Sequence, residues 1–183
     1  MNANQFARSL FAVACSLVAL TTTVFAADTD SPSANTEIAA LKAEVEQLRA
    51  LLPGQAHAMV DVDYNFANLW FASAKHNWPL ATFYLNETRS RIGWTVRLRP
   101  IRKLGAGQDL DLRPLQAAIE QTGLAQIKTA LENHDNKAFV VAYRTTMGQC
   151  HACHVASEKP YLQPHIPEHP ASQMIDMTPA MNR

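Results

Sequence analysis

Apolar residues recur at alternating spacings of three and four through Ile38, Leu41, Val45, Leu48 and Leu52, the a/d seam of a heptad repeat. Glu37, Lys42, Glu44, Glu46 and Arg49 fill the remaining faces. A seam this narrow predicts a short oligomerising coil over residues 36–53; the alternative is a helix folding back onto its own domain. Barely more than two heptads make it marginal alone, and Pro53-Gly54 ends it.

Four further helical patterns follow, with no alternating run long enough to form a substantial strand. The first spans Gln55 to His76 and ends at Asn77-Trp78-Pro79. The second runs from Pro79 to Leu98, with Asn77 as its cap, and is closed by Arg99-Pro100. Residues 101–109 read as a loop containing Gly105 and Gly107. Asp111 then caps a third helix with Pro114 in its first turn, interrupted at Gly123 and continued by Leu124, Ile127 and Leu131 to Asn133. The fourth starts near Asp135 and carries Phe139, Val140, Tyr143, Met147, Cys150 and His154 along one side. Beyond it, Pro160, Pro164, Pro167, Pro170 and Pro179 mark an extended tail over 158–183. The expected fold is therefore all-α: an antiparallel four-helix bundle over 54–157, preceded by the coiled-coil helix and followed by the Pro-rich tail.

The first 26 residues change the expected compartment. Arg8, an apolar run from Leu10 to Leu20 and Val24-Phe25-Ala26 fit a cleavable secretory signal, with a polar linker at 27–35 and an exported, periplasmic mature chain. No later segment is long enough to span a membrane. Cys15 falls inside the apolar run, leaving Cys150 and Cys153 in the mature protein. Losing Arg8 from 16 basic residues leaves 15 against 16 acidic ones, so nucleic acid is not an expected partner. A chain of this size supports one packed core.

Against that background one motif carries chemistry. Cys150-His151-Ala152-Cys153-His154 spells C-x-x-C-H, in which two thiols on one helical turn reach two vinyl groups of a porphyrin edge and the following imidazole faces the iron. The competing readings are a redox dithiol and a zinc site completed by His165 and His169. Two thiols make no disulfide framework, and haem attachment consumes both. Pro164, Pro167 and Pro170 prevent His165 and His169 from sharing a helical face.

An up-down-up-down arrangement brings the end of the fourth helix beside the start of the first, near Met59, Trp94 to Leu98 and Leu112 to Leu115. His76 and His134 then lie about 25–30 Å away and are expected to be surface residues. Helical phase turns Met59 toward Val62, Phe66, Leu69 and Trp70. It leaves His57 with Asp61, Asn68 and Lys75 on the polar side. Met59 is thus either a sixth iron ligand or part of the lining of an open iron face. Asp63 falls inside the apolar arc and should pair with Arg91. Arg97, Arg99 and Arg113, with Arg102 and Lys103, are possible partners for haem propionates. Met174, Met177 and Met181 offer tail thioethers, at a large ordering cost.

A signal segment, a four-helix pattern and C-x-x-C-H on the last helix together resemble the class II cytochromes c, the cytochrome c prime family and its low-spin relatives, over Gln55 to His154. The resemblance implies one covalent haem c on Cys150 and Cys153 with His154 as the fifth iron ligand. It also implies a sixth position that is empty or held by a first-helix methionine, where Met59 stands. The chain departs from the family in its coiled-coil segment, in its tail and in Glu158, which replaces a basic residue four places after the histidine; Lys159 is adjacent. The expected function is single-electron transfer with periplasmic redox partners, without a catalytic constellation. The alternatives are reversible binding of a small gas such as NO or CO at a face lined by Met59, Phe66 and Trp94, and a zinc-organised adaptor. A homo-oligomer through residues 36–52 is expected.

Overall fold

The computed structural model describes residues 33–105 and 107–180. The signal segment, most of the linker and Met181 lie outside the described residues. The first helix, α1 (Ala34–Leu51), takes in the last two linker positions and has no buried residue. The chain divides into two units between Val45 and Glu46, within this helix.

The second unit contains α2 (Gln55–Ala74), α3 (Trp78–Leu98), strands β1 (Ile101–Lys103) and β2 (Asp109–Asp111), α4 (Arg113–Gln121), α5 (Gly123–Glu132) and α6 (Asn136–Ala156). Local chemistry accounts for the boundaries. Asn77 Oδ1 accepts from Leu80 N at 3.3 Å to start α3, and Asp135 Oδ1 accepts from Ala138 N at 2.9 Å to start α6. Three helices close with a non-glycine residue at positive φ: His76 at 56°, His134 at 54° and Glu158 at 59°. In each case the next amide reaches back five residues, Asn77 to Ala72, Asp135 to Ala130 and Lys159 to His154, satisfying carbonyls the helix leaves free.

The region expected to be a loop contains an antiparallel hairpin, with Ile101 opposite Asp111 and Lys103 opposite Asp109. Three-residue strands are too short to leave a readable alternation. Gly107, at φ 75°, makes the turn. The expected third helix is split at Thr122 into α4 and α5, where Gly123 lets α5 approach α6: a Cβ there would meet Thr146 Cα at 3.1 Å.

Helix α2 packs along α3 and α5 along α6, and the pairs join through α3–α5 and α2–α6 contacts. Side-chain bonds fix the direction of α2 against α6. Ser73 Oγ donates to Asn136 Oδ1 at one end, and Tyr143 Oη donates to the Phe66 carbonyl at 2.9 Å in the middle. At the other end Arg102 bridges Gln55 and the carbonyl of Ser157. The core lies between these helices, with Leu69, Leu85, Leu124, Ile127, Phe139 and Tyr143 almost wholly enclosed. Phe66 stacks on Tyr143 with ring centroids 4.1 Å apart, and Trp70 sits 5.0 Å from the same ring.

Two expectations about α2 are overturned. Asn68 is fully buried instead of facing solvent, and Asp63 is exposed; Arg91 pairs with Asp61 at 3.7 Å and with Glu87 at 3.3 Å, not with Asp63. The buried stripe is centred on Ala58, Val62, Asn65, Leu69 and Ala72. That centre is rotated by most of a right angle from the one suggested by the large apolar side chains, at about 100° per residue. The polar members find partners inside: Asn65 donates to the Asp61 carbonyl and Asn68 Oδ1 accepts from Ser172 N, while Asn68 Nδ2 is buried with no partner among the described residues.

The tail is laid down on the helices. Ile166 packs against the core, Met177 is buried, and Asn77 Nδ2 donates to the carbonyls of Met177 and Thr178. His76 and His134 are exposed, as expected, and flank Trp78, with His134 stacked on the indole at 5.1 Å.

Candidate functional site

The buried side of α6 runs through Phe139, Ala142, Tyr143 and Thr146, and at about 100° per residue the same side continues into Cys150 and Cys153 one and two turns later. His154 lies on its flank. All three are half-buried at the end of the helix, and Cys153 packs against the core. Both thiols are free.

Burial sets their chemistry. It pushes the Cys150 thiol up to about 11, with the neighbouring Cys153 sulfur adding to the effect. Cys153 is raised for the same reason, partly offset by a hydrogen bond from Ser157 and by the charge of Arg102. Both are therefore protonated at neutral pH, which places them far from the activated thiolates of a dithiol redox pair.

The imidazole of His154 is held by the chain that follows it. Its Nδ1 lies 2.7 Å from the carbonyl oxygen of Leu162. A carbonyl can only accept, so Nδ1 carries a proton, and in the neutral ring Nε2 is the nitrogen with the lone pair. The backbone reaches this position because Glu158 reverses the helix at positive φ and a turn brings Leu162 N onto the Lys159 carbonyl at 3.0 Å. Glu158 is itself fixed, its carboxylate accepting from Gly105 N at 2.7 Å. Glu158 thus ties the end of α6 to the hairpin turn. His151 Nε2 bonds to the Pro160 carbonyl at 3.1 Å in the same turn.

The other sequence-predicted residues are distributed around this end. Gln55 Nε2 donates to the Arg99 carbonyl at 2.9 Å, so the start of α2 and the end of α3 meet beside the end of α6. Met59 is half-buried on α2, and His57 is exposed. Trp94, Leu98 and Leu115 are half-buried and Leu112 is buried. Arg99 donates to the carbonyls of Arg49 and Leu52, and Arg113 is engaged by Asp111, whose carboxyl it holds below the usual carboxylate range. Arg97 is exposed and makes no ion pair among the described residues.

Met177 is seated beside Asn77 at the start of α3, whereas Met174 is almost fully exposed. Among the described residues, no three His, Cys, Asp or Glu side chains converge as a ready-made metal site, and His165 Nδ1 bonds to the Ile166 carbonyl. Sequence reasoning missed the Leu162 carbonyl and the bridging role of Arg102. The first is a backbone atom eight residues from the ring it orients, and only the helix-stopping Pro160 hinted at a turn there.

The donor set fits what a covalent haem would need: two free thiols at i and i+3, half-exposed at a helix end, followed by an imidazole whose Nε2 is not engaged by the Leu162 carbonyl. Comparison with protein families, with curated proteins and with solved structures finds no match to this chain.

Proposed function

We propose that this chain is an exported c-type cytochrome of the class II kind. In this reading α2, α3, α4 with α5, and α6 form a four-helix bundle holding one haem c through Cys150 and Cys153, with His154 as axial ligand. The observation that carries this reading is the Leu162 carbonyl on His154 Nδ1. Metal-bound histidines are oriented by such a bond from the other ring nitrogen, which fixes the tautomer and raises the basicity of Nε2. When bound, the haem supplies an iron that cycles between two oxidation states by one electron.

The residues have separable roles. Cys150 and Cys153 would hold the haem through two thioethers. Burial keeps both thiols protonated, which slows their pairing with one another. His154 holds its ring at a fixed angle against the Leu162 carbonyl, limiting rearrangement on electron transfer. Arg97 and Arg102 supply positive charge at the same end for propionate carboxylates. Met59, half-buried on α2, divides the electron-carrier and gas-binding versions: its thioether would either be a ligand to the iron or only line the haem's surroundings.

The test is expression of the full chain with an export and haem-attachment system, followed by absorption spectra of both oxidation states and a pyridine assay for thioether-linked haem. One covalent haem per chain is expected, lost in Cys150→Ala/Cys153→Ala. A colourless protein overturns the proposal. A six-coordinate low-spin spectrum that persists on reduction identifies an electron carrier, and Met59→Leu should then turn it high-spin. A high-spin spectrum with avid CO or NO binding identifies the gas-binding version.

A further inference from the structure

Helix α1 presents Ile38, Leu41, Val45 and Leu48 at 49, 60, 44 and 56 % exposure, an apolar stripe on a helix with no buried residue. We propose that this stripe is the interface of a parallel, in-register dimer of two copies of this chain. The proposal is independent of the haem reading.

The heptad register sets the occupant. With Ile38 at a, the a positions are Ile38 and Val45, with Leu52 just past the end of the helix, and the d positions are Ala34, Leu41 and Leu48. Branched residues at a with leucine at d fit the packing of two parallel strands, and the same residues pack poorly in three- or four-stranded coils. The outward positions Ala39, Ala40, Ala43, Glu46, Gln47 and Ala50 are small or polar, so a single seam is available.

Charge decides the orientation. The charged g positions are Glu37 and Glu44, with Leu51 the remaining g, and the charged e positions are Lys42 and Arg49, with Asn35 the remaining e. In a parallel pair each g residue faces the e residue five positions on in the other helix. Glu37 then meets Lys42 of the partner subunit and Glu44 meets Arg49 of the partner subunit, each pair formed twice by the two-fold axis. In an antiparallel pair g faces g and e faces e, which sets glutamate against glutamate and lysine or arginine against its like. The only competing contact within the helix is Arg49 with Glu46 at 2.8 Å, between side chains 64 and 70 % exposed, which gives up little on exchange. Eighteen residues make a helix about 27 Å long, so the association is weak and concentration-dependent. Both chains leave the coil at Leu52 on the same side, and the particle carries two His154 sites.

Sedimentation equilibrium of the full chain should show reversible dimerisation between micromolar and millimolar concentrations. Glu37→Lys/Glu44→Lys and Lys42→Glu/Arg49→Glu should each sediment as monomers, with circular dichroism confirming that their other helices persist. An equimolar mixture of the two should restore a dimer. Orientation is read from Ala34→Cys, which falls at d: mild oxidation should link two copies through that residue, a band absent from the unsubstituted chain. A monomer at every concentration, dimerisation unaffected by the charge reversals, or cross-linking of Ala34→Cys only to a Leu52→Cys chain each overturns the proposal.

Discussion

His154 donates from Nδ1 to the carbonyl oxygen of Leu162 at 2.7 Å, so the proposed iron ligand is oriented by the first turn of the tail, not by the helix that carries it. The tail is anchored again where Asn68 Oδ1 takes the amide of Ser172 at 3.0 Å, and again by the buried Met177. Ligand orientation and tail docking are thus separable along the chain.

Two truncations separate them. Removing residues 171–183 exposes the site of Met177 and should cost about 2 kcal/mol by urea denaturation, while His154 keeps its Nδ1-protonated form. Removing residues 160–183 also deletes Leu162, and nitrogen NMR of the imidazole in the haem-free chain should then show a mixture of tautomers. An unchanged tautomer in the longer deletion would mean that the Leu162 bond does not govern the ring.

Gly123 sits where α5 approaches α6. An added methyl would meet Thr146 Cα at 3.1 Å, close to the Thr146 and Gln149 side chains. Alanine gains up to about 1 kcal/mol in helix propensity, but overpacking against backbone costs about 1–3 kcal/mol. Gly123→Ala should therefore lower stability by about 1–2 kcal/mol. Gly148→Ala, with nothing within 4 Å of the new methyl, should raise it by about 0.5–1 kcal/mol. Urea midpoints of the two variants should move in opposite directions.

Burial raises the Tyr143 hydroxyl well above its ordinary value of 10, with smaller contributions from Cys150 and Asp63. The folded state thus retains a proton that the unfolded chain releases near pH 10. The resulting stability is complete below that pH and is lost as pH rises beyond it. In a Cys150→Ala/Cys153→Ala background, which removes the raised thiols, stability should fall steeply above pH 10. Tyr143→Phe should flatten that slope and cost about 1 kcal/mol at neutral pH through the bond to the Phe66 carbonyl. A slope unchanged in Tyr143→Phe would assign the alkaline loss to other groups.

Local rules were legible in the sequence because they act over a few residues. The spacing of apolar positions, the cap at Asn77, the break at Gly123 and the i, i+3, i+4 arrangement of Cys150, Cys153 and His154 are all written within single helical turns. The rotation of α2 was not. Asn68 reads as a polar-face residue until the amide of Ser172, distant in sequence, meets its side-chain oxygen in the interior. That rotation decided which carboxylate Arg91 meets. The hairpin, the Arg102 bridge and the carbonyl on His154 likewise depend on chain reversals that bring distant backbone atoms together. The sequence by itself determined the spacing of Cys150, Cys153 and His154 on which the haem proposal rests, and which face of α1 is apolar. Tertiary structure alone decided how the imidazole is held, because backbone carbonyls are chemically alike at every position and only the fold selects which one a ring meets.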